Sequence, residues 1–341
     1  PSIGELAEGL SGSCTPKDVE TMFQMIYLYM TAPRMDEEAF QSLMTKQKSI
    51  IGNYLSQPEA WFNSEMIKKM YNGHPRRKFI PSVAEMDAVN FDQAMTFYKE
   101  RFADANDFVF FFVGNFEVDA FQNYLNTYLA SLPTSPTSES WKDPGVKEPK
   151  GKIEQDFFKG SEPKSVVNIQ YYGDIDWNRK DRVAINALTK SLTIELIKIL
   201  REEKSGVYSP RVYSNTSHYP EPRFGLTVSF SCAPENVDDL VSTVYEEMEK
   251  MKKNGPSDEP ISKVKEQLRK SIQVGMESNG YWLSSLAYYH THGLDMADIA
   301  TAESRIDEIN AKEVQRVAKK YISQKSMSRF ALFPATEMNN R

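Results

Sequence analysis

The chain has 341 residues, of which 40% are hydrophobic and 26% are charged, a composition typical of a globular protein with about two domains. Its net charge of −6 argues against a nucleic-acid partner, because phosphate binding needs a basic surface. No apolar run approaches the roughly 20 residues that span a bilayer, and no signal peptide is recognisable. The two cysteines, Cys14 and Cys232, form neither a disulfide framework nor a zinc-finger spacing.

Helical periodicity dominates residues 1–132. Thr15 and Pro16 are of the types preferred at a helix cap and in the first turn, and apolar residues follow them at helical spacing. The aromatic and methionine stripes of these helices predict a packed core rather than a cofactor site. Residues 107–114 form an apolar run that predicts a buried strand.

Residues 133–151 interrupt this pattern. They contain four prolines among serine, threonine and lysine and show no apolar periodicity, which predicts a linker. Regular patterns return after it. Strands are predicted at 152–158, 165–172, 207–215, 224–232 and 328–333, and helices at 178–203, 236–253, 257–289, briefly after Leu294, and from Asn310.

An internal repeat relates the two parts of the chain. An offset of 220 residues places Asn90 on Asn310, Phe97 on Val317 and residues 108–113 on 328–333. A repeat of this length predicts two copies of one structural unit. The first copy is much shorter on its N-terminal side, so we expect it to lack two strands and a long helix, and the chain to be a fragment of a larger protein.

These patterns predict an α+β fold class. We expect two homologous α/β sandwich modules, in each of which helices cover a mixed, largely antiparallel sheet. Residues 1–132 would form the first module, truncated at its N-terminus and mostly helical, and 133–151 the proline-rich linker. Residues 152–341 would form a complete C-terminal module.

The candidate site lies in residues 200–211. The long predicted helix brings Arg201 to its C-terminal end, Gly206 supplies a turn, and Tyr208 begins the next strand. Two strong hydrogen-bond donors would therefore lie near one spot. The alternative is structural: Arg201 would cap the helix C-terminus and Tyr208 would pack in the sheet.

The histidines do not form a recognisable metal motif. His290 and His292 lack both the helical spacing and the intervening glutamate of a zinc-peptidase pair. His74 is predicted in a loop and His218 at a strand end. We therefore expect no metal site in this chain.

Several segments together resemble the pitrilysin (insulinase) family of zinc metallopeptidases. The likeness covers nearly the whole chain, and the spacing from Arg201 to Tyr208 across helix, turn and strand is its most specific part. It is greatest to the C-terminal half of the bacterial four-module members, with a partial third module followed by a complete fourth. The segments that carry it are 98–102, 113–116, 128–133, 200–202, 205–208, 230–236 and 279–282.

The resemblance implies a function for a longer protein. In such enzymes the N-terminal half carries a His-x-x-Glu-His zinc motif, which this sequence lacks, and the C-terminal half closes over it. Arg201 and Tyr208 would then donate hydrogen bonds to the substrate backbone or the developing oxyanion. The chain alone would neither bind the catalytic zinc nor hydrolyse peptides.

The same resemblance implies the partners and leaves one alternative function. The expected partners are the protein's own zinc-bearing N-terminal half and a peptide substrate, and the expected compartment is the periplasm. The alternative is a non-catalytic structural or peptide-binding member of the same family. An intact or broken zinc motif upstream of Pro1 would distinguish the two.

Overall fold

The computed structural model describes residues 1–135, 139–204, 207 and 210–339. The chain folds as two compact units, which differ from the predicted modules in where they divide. Unit 1 comprises Pro1–Gly52, Pro81–Pro144 and Ser278–Tyr288, and unit 2 comprises Asn53–Ile80, Gly145–Glu277 and Tyr289–Arg341. The module boundaries follow the sequence repeat, whereas the units follow packing, so the module boundaries stay a prediction.

The helices and strands alternate in a manner typical of an α+β protein. In chain order they are β1 (Ser2–Ile3), β2 (Glu8–Gly9), α1 (Val19–Thr31), α2 (Glu37–Ser56), α3 (Pro58–Met70), α4 (Val83–Asp87), α5 (Phe91–Arg101), α6 (Val118–Tyr124), β3 (Gly151–Phe158), β4 (Ser165–Asp174), α7 (Arg179–Leu196), β5 (Arg211–Ser217), β6 (Arg223–Cys232), α8 (Val237–Asn254), α9 (Asp258–Met276), α10 (Asn279–Thr291), α11 (Ala297–Ala300), α12 (Ala311–Tyr321) and β7 (Ser326–Phe333).

Unit 1 is held together largely by aromatic side chains. Phe23 of α1 is fully buried, and its ring contacts those of Phe112, Phe121 and Tyr124 at centroid distances of 5.1–5.6 Å. A second small cluster joins Met30, Phe102 and Leu132. Phe23 and Met30 thus form the core side of α1, whereas Met25 and Tyr29 of the predicted stripe are exposed, so the prediction of which residues are buried was wrong for this helix.

Unit 2 contains one mixed sheet of five strands in the order β3-β7-β4-β6-β5. The β3 and β7 pair is parallel, and the other three pairs are antiparallel. This arrangement confirms the predicted mixed, largely antiparallel sheet. Strand β7, the last in sequence, lies inside the sheet between β3 and β4, whereas β5 is at an edge.

Helices cover both faces of this sheet because its central strands are apolar on both sides. Alternate residues of β4, such as Val167 and Ile169, join a large core shared with α7, α8 and α12. On the other face, Phe330 of β7 packs with Phe62 and Met66 of α3. Helix α3 belongs to unit 2 by this packing.

Three predictions of secondary structure were wrong. Residues 107–114 form no strand among the described residues, since an extended segment needs a neighbouring strand for its hydrogen bonds. The helix predicted at 257–289 is interrupted after Met276, because the Ser278 hydroxyl accepts the Tyr281 amide and starts α10. Strand β5 begins at Arg211 rather than at 207, directly after Pro210, which has no amide proton to donate to a ladder.

Candidate functional site

Helix α7 positions Arg201 by burying one side of itself completely. Leu188, Leu192, Leu196 and Leu200 recur every four residues and are all inaccessible to solvent. Their burial fixes the rotation of the helix about its axis. The apolar periodicity of the sequence predicts a buried stripe of Ile185, Leu188, Leu192, Leu196 and Ile199, which is confirmed except at its end, where Leu200 is buried and Ile199 only half-buried.

The last turns of this helix widen into a π-helical segment at Ile197–Glu203. Its end is marked by the Lys204 amide, which donates to the Ile199 carbonyl at 3.0 Å, five residues back. Turns of this kind occur frequently at functional sites. The helix therefore ends near residue 203, as predicted, with Arg201 in its last turn.

The Arg201 side chain is exposed beside the buried Leu200. Its guanidinium makes no hydrogen bond or ion pair with another part of the described chain, and in particular none with the carbonyl groups of the last turn. The Nζ atom of nearby Lys204, in contrast, forms an ion pair with Oδ2 of Asp239 at 2.6 Å. Arg201 thus supplies donors that no other described residue uses, at the C-terminal end of a helix where a positive charge is favourable.

Tyr208, the second predicted donor, lies outside the described residues, as do Ser205, Gly206 and Ser209. The described residues on either side are buried: Val207, which joins the core of unit 2, and Pro210. The arrangement of Tyr208 relative to Arg201 stays a prediction.

The described residues contain no group of three or more histidine, cysteine, aspartate or glutamate side chains that could hold a metal ion. His290 is exposed on α10. His292 instead contacts His218, which directly follows β5 at the predicted strand end. Sequence reasoning missed this pair because 74 residues separate the two histidines, and no local spacing could have indicated it.

A family described as the peptidase M16 inactive domain matches residues 88–268, more than half of the chain. The chain belongs to this family. The match confirms the zinc metallopeptidase family predicted from the residues around Arg201.

This M16 chain resembles longer proteins. It is 25% identical over 285 residues to a zinc protease PQQL-like protein of Arabidopsis thaliana, covering 79% of this chain and 30% of that protein. It is 22% identical over 330 residues to the probable zinc protease PqqL of Escherichia coli strain K12, covering 92% of this chain and 34% of that protein. The M16 chain thus spans about a third of the length of these relatives.

A solved structure shows the same fold. The crystal structure of the periplasmic protease PqqL from Escherichia coli matches with a TM-score of 0.82 at 20% identity, covering 94% of this chain and 35% of that one. At this identity the likeness establishes the fold of the M16 chain. Within the described residues, no helix combines the length and the apolar character needed to cross a bilayer.

Proposed function

We propose that this chain is the C-terminal, substrate-enclosing half of a zinc-dependent endopeptidase that cleaves peptides or small unfolded polypeptides. The observation that carries the proposal is the exposed Arg201 side chain, which follows the buried Leu200 at a helix end and has no hydrogen-bond or ion-pair partner among the described residues. Family membership supports it, since relatives of the chain are named zinc proteases.

The role proposed for the chain is to stabilise charge rather than to start the reaction. Zinc, bound in a half of the protein outside this chain, would polarise a water molecule and the scissile carbonyl. Arg201 and Tyr208 donate hydrogen bonds to the substrate backbone or to the carbonyl oxygen as it gains negative charge. Because Leu200 anchors the helix end, the backbone from which the Arg201 side chain extends is fixed before the substrate arrives.

The proposed partners follow from this role. They are the zinc-bearing N-terminal half of the same protein and a peptide substrate. We place the protein in the periplasm, where the protease from Escherichia coli with the same fold is found according to its description.

The test is to compare turnover of the full-length protein with that of its Arg201→Ala and Tyr208→Phe variants. Loss of one donor that acts on the developing oxyanion typically lowers kcat by roughly a hundredfold or more. We therefore expect a large fall in kcat and an unchanged zinc content in both variants. A peptide substrate and zinc analysis of the same preparations provide both measurements.

Lys204→Ala is the matched control for Arg201→Ala. Lys204 also lies at the exposed end of α7, but it is paired with Asp239 and is not assigned to the substrate. Its removal should leave kcat within about twofold of wild type, because an exposed ion pair contributes little. Equal rates in wild type and both donor variants would remove Arg201 and Tyr208 from the mechanism.

The alternative is a non-catalytic structural or peptide-binding member of the family. The family description, an inactive domain, is compatible with this non-catalytic function. It is equally compatible with the peptidase, because it covers residues 88–268 and not the zinc-bearing half. The peptidase and the non-catalytic member would differ in whether the zinc motif of the N-terminal half is intact. A broken His-x-x-Glu-His motif upstream of Pro1 would favour the non-catalytic function, and an intact one the peptidase.

A further inference from the structure

Two histidines from distant parts of unit 2 meet on its surface. His218 directly follows strand β5, and His292 directly follows helix α10. Their Nδ1 atoms are 3.3 Å apart, and both side chains are half-buried. At this distance the two nitrogen atoms form a hydrogen bond, in which the tautomer decides which ring donates and which accepts, and a bound metal ion would replace the shared proton.

Aromatic side chains hold both imidazole rings in place. The Trp177 ring stacks on His218 with a centroid distance of 4.7 Å and an interplanar angle of 5°. Tyr219 stacks on His292 with a centroid distance of 5.6 Å and an interplanar angle of 5°. The distance between the two nitrogen atoms is thus set by packing, so a ligand that uses both would find them preorganised.

The spacing of the two nitrogen atoms matches that of two ligands on one metal ion. Two Zn–N bonds of about 2.0–2.1 Å at a tetrahedral angle place their nitrogen atoms about 3.3–3.4 Å apart. Imidazole nitrogen is a preferred ligand of zinc, copper and nickel. We propose that His218 and His292 form a binding site for one divalent transition-metal ion, with both Nδ1 atoms as ligands.

The type of ligand, and not the charge nearby, decides which metal the site prefers. The Arg182 guanidinium lies over the Trp177 ring at 4.1 Å from its centroid. This positive charge weakens the binding of any dication, so the expected preference for Cu²⁺ over Zn²⁺ rests on the higher affinity of imidazole nitrogen for Cu²⁺.

The site binds a metal ion but does not catalyse peptide hydrolysis. No third histidine, cysteine or carboxylate joins the pair within the part of the chain that the structure describes, so water or an external ligand completes the coordination. A carboxylate that could act as general base is likewise not part of the cluster. The inference goes beyond the proposed peptidase function and does not depend on it.

The test is a titration of the purified chain with Cu²⁺ and, separately, with Zn²⁺ by calorimetry. We expect one ion per chain, tighter binding of Cu²⁺, and a rise in Tm at saturating metal, because an ion that binds the folded state stabilises it. His218→Ala and His292→Ala should each weaken binding at least tenfold.

The remaining histidines provide matched controls, since the sequence contains only four. His290→Ala tests whether His292 binds the metal together with its neighbour in sequence, His290. His74→Ala tests a histidine that is far from both in sequence. Both should bind Cu²⁺ as wild type does. Absence of binding, loss of binding in His290→Ala, or full binding in His218→Ala would overturn the proposal.

A measurement on the wild-type chain covers the case in which a variant does not fold. Paramagnetic Cu²⁺ broadens the NMR signals of the imidazole rings that bind it, and the His74 and His290 signals can be assigned from their variants. Substoichiometric Cu²⁺ should broaden the two remaining signals first. Equal broadening of all four, or of none, would contradict a site at His218 and His292.

Discussion

Helices α5 and α12 correspond in the repeat, yet their surroundings differ. Their bounds are offset by 220 residues at both ends, and each begins with an asparagine whose side chain accepts a backbone amide, at 2.9 Å for Asn90 and 3.1 Å for Asn310. Helix α12 buries an apolar face beneath α7, whereas α5 buries none of its residues. Val317 is fully buried, but the corresponding Phe97 is 52% exposed.

The strands of the repeat differ in the same way. Strand β7 is buried along almost its whole length between β3 and β4. The corresponding residues 108–113 form no strand among the described residues, and Val109 is 54% exposed. The same local pattern thus gives the same helix in both units but a strand only where partner strands are present.

What unit 2 has in addition is the group β3, β4 and α7. These elements correspond to the two strands and long helix that the repeat predicts to be missing from the first copy. The truncation of the first module stays a prediction, which the full-length sequence can test.

The largest expected difference between the units concerns two phenylalanines related by the repeat. Phe330 of β7 is fully buried and packs with Phe157 and the α3 cluster, whereas Phe110 is half-buried. Phe330→Ala should lower the free energy of unfolding by about 3–5 kcal/mol, the usual cost of removing a buried ring. Phe110→Ala should cost about 1–2 kcal/mol, since less contact area is lost.

Urea denaturation followed by circular dichroism measures both changes. Phe330→Leu is the control for side-chain volume and should recover most of the loss, because it leaves a smaller cavity. Equal losses in Phe110→Ala and Phe330→Ala would show that the two segments are buried to the same extent, against the structure.

A smaller loss of stability is expected when the polar network between α12 and α7 is disrupted. Asp181 of α7 is buried and accepts hydrogen bonds from Arg316 at 2.7 Å, Lys320 at 2.9 Å and Tyr321. Unit 1 has Thr96, Glu100 and Arg101 at the corresponding positions. The sequence of α5 therefore has no equivalent set of donors.

This network makes the stability of the protein pH-dependent. Burial raises the pKa of Asp181, but the three hydrogen bonds outweigh it and lower the pKa to about 2. The folded value lies below the unfolded value of about 3.9, so the network stabilises the fold above about pH 4 and is lost as pH falls towards 2. Asp181→Asn should cost about 2–3 kcal/mol at pH 7 and progressively less below pH 4.

Asp176→Asn is the matched control for that variant. Asp176 also accepts a hydrogen bond from Lys320, at 2.6 Å, but its side chain is exposed, so we expect a loss of less than about 0.5 kcal/mol. Denaturant unfolding between pH 2 and 7 provides the measurement. A constant difference between wild type and Asp181→Asn over this range would contradict the pKa assignment.

The smallest effect concerns the two helix caps and should be the same in both units. Asn90→Ala and Asn310→Ala each remove one side-chain acceptor for a backbone amide. Each should lower the free energy of unfolding by about 1 kcal/mol, because a cap acts locally and does not depend on what covers the helix. Thermal unfolding of Asn90→Ser and Asn310→Ser, which keep an acceptor, is the control.

Local features of this fold were predictable from the sequence, and contacts between distant segments were not. The cap at Asn310, the leucine stripe of α7 and the strands of unit 2 follow from residue type and spacing. The prediction of a strand at 107–114 was wrong because an apolar run does not reveal whether a partner strand is present. The break before α10 was missed because apolar residues continue on both sides of Ser278.

The candidate site shows the same limit. Arg201 could be located from the periodicity of its helix, which places it at the exposed C-terminal end. The contact between His218 and His292 could not be predicted from the sequence, since it depends on the fold bringing a strand end and a helix end together. The role of Arg201 came from family resemblance and not from periodicity.

The central claim is that this chain assists a zinc peptidase without being one. Hydrolysis of an unstructured peptide by the isolated chain and by the full-length protein, each with and without a metal chelator, tests it most directly. We predict no turnover by the isolated chain and chelator-sensitive turnover by the full-length protein. Chelator-sensitive turnover by the isolated chain, or none by the zinc-loaded full-length protein, would contradict the claim.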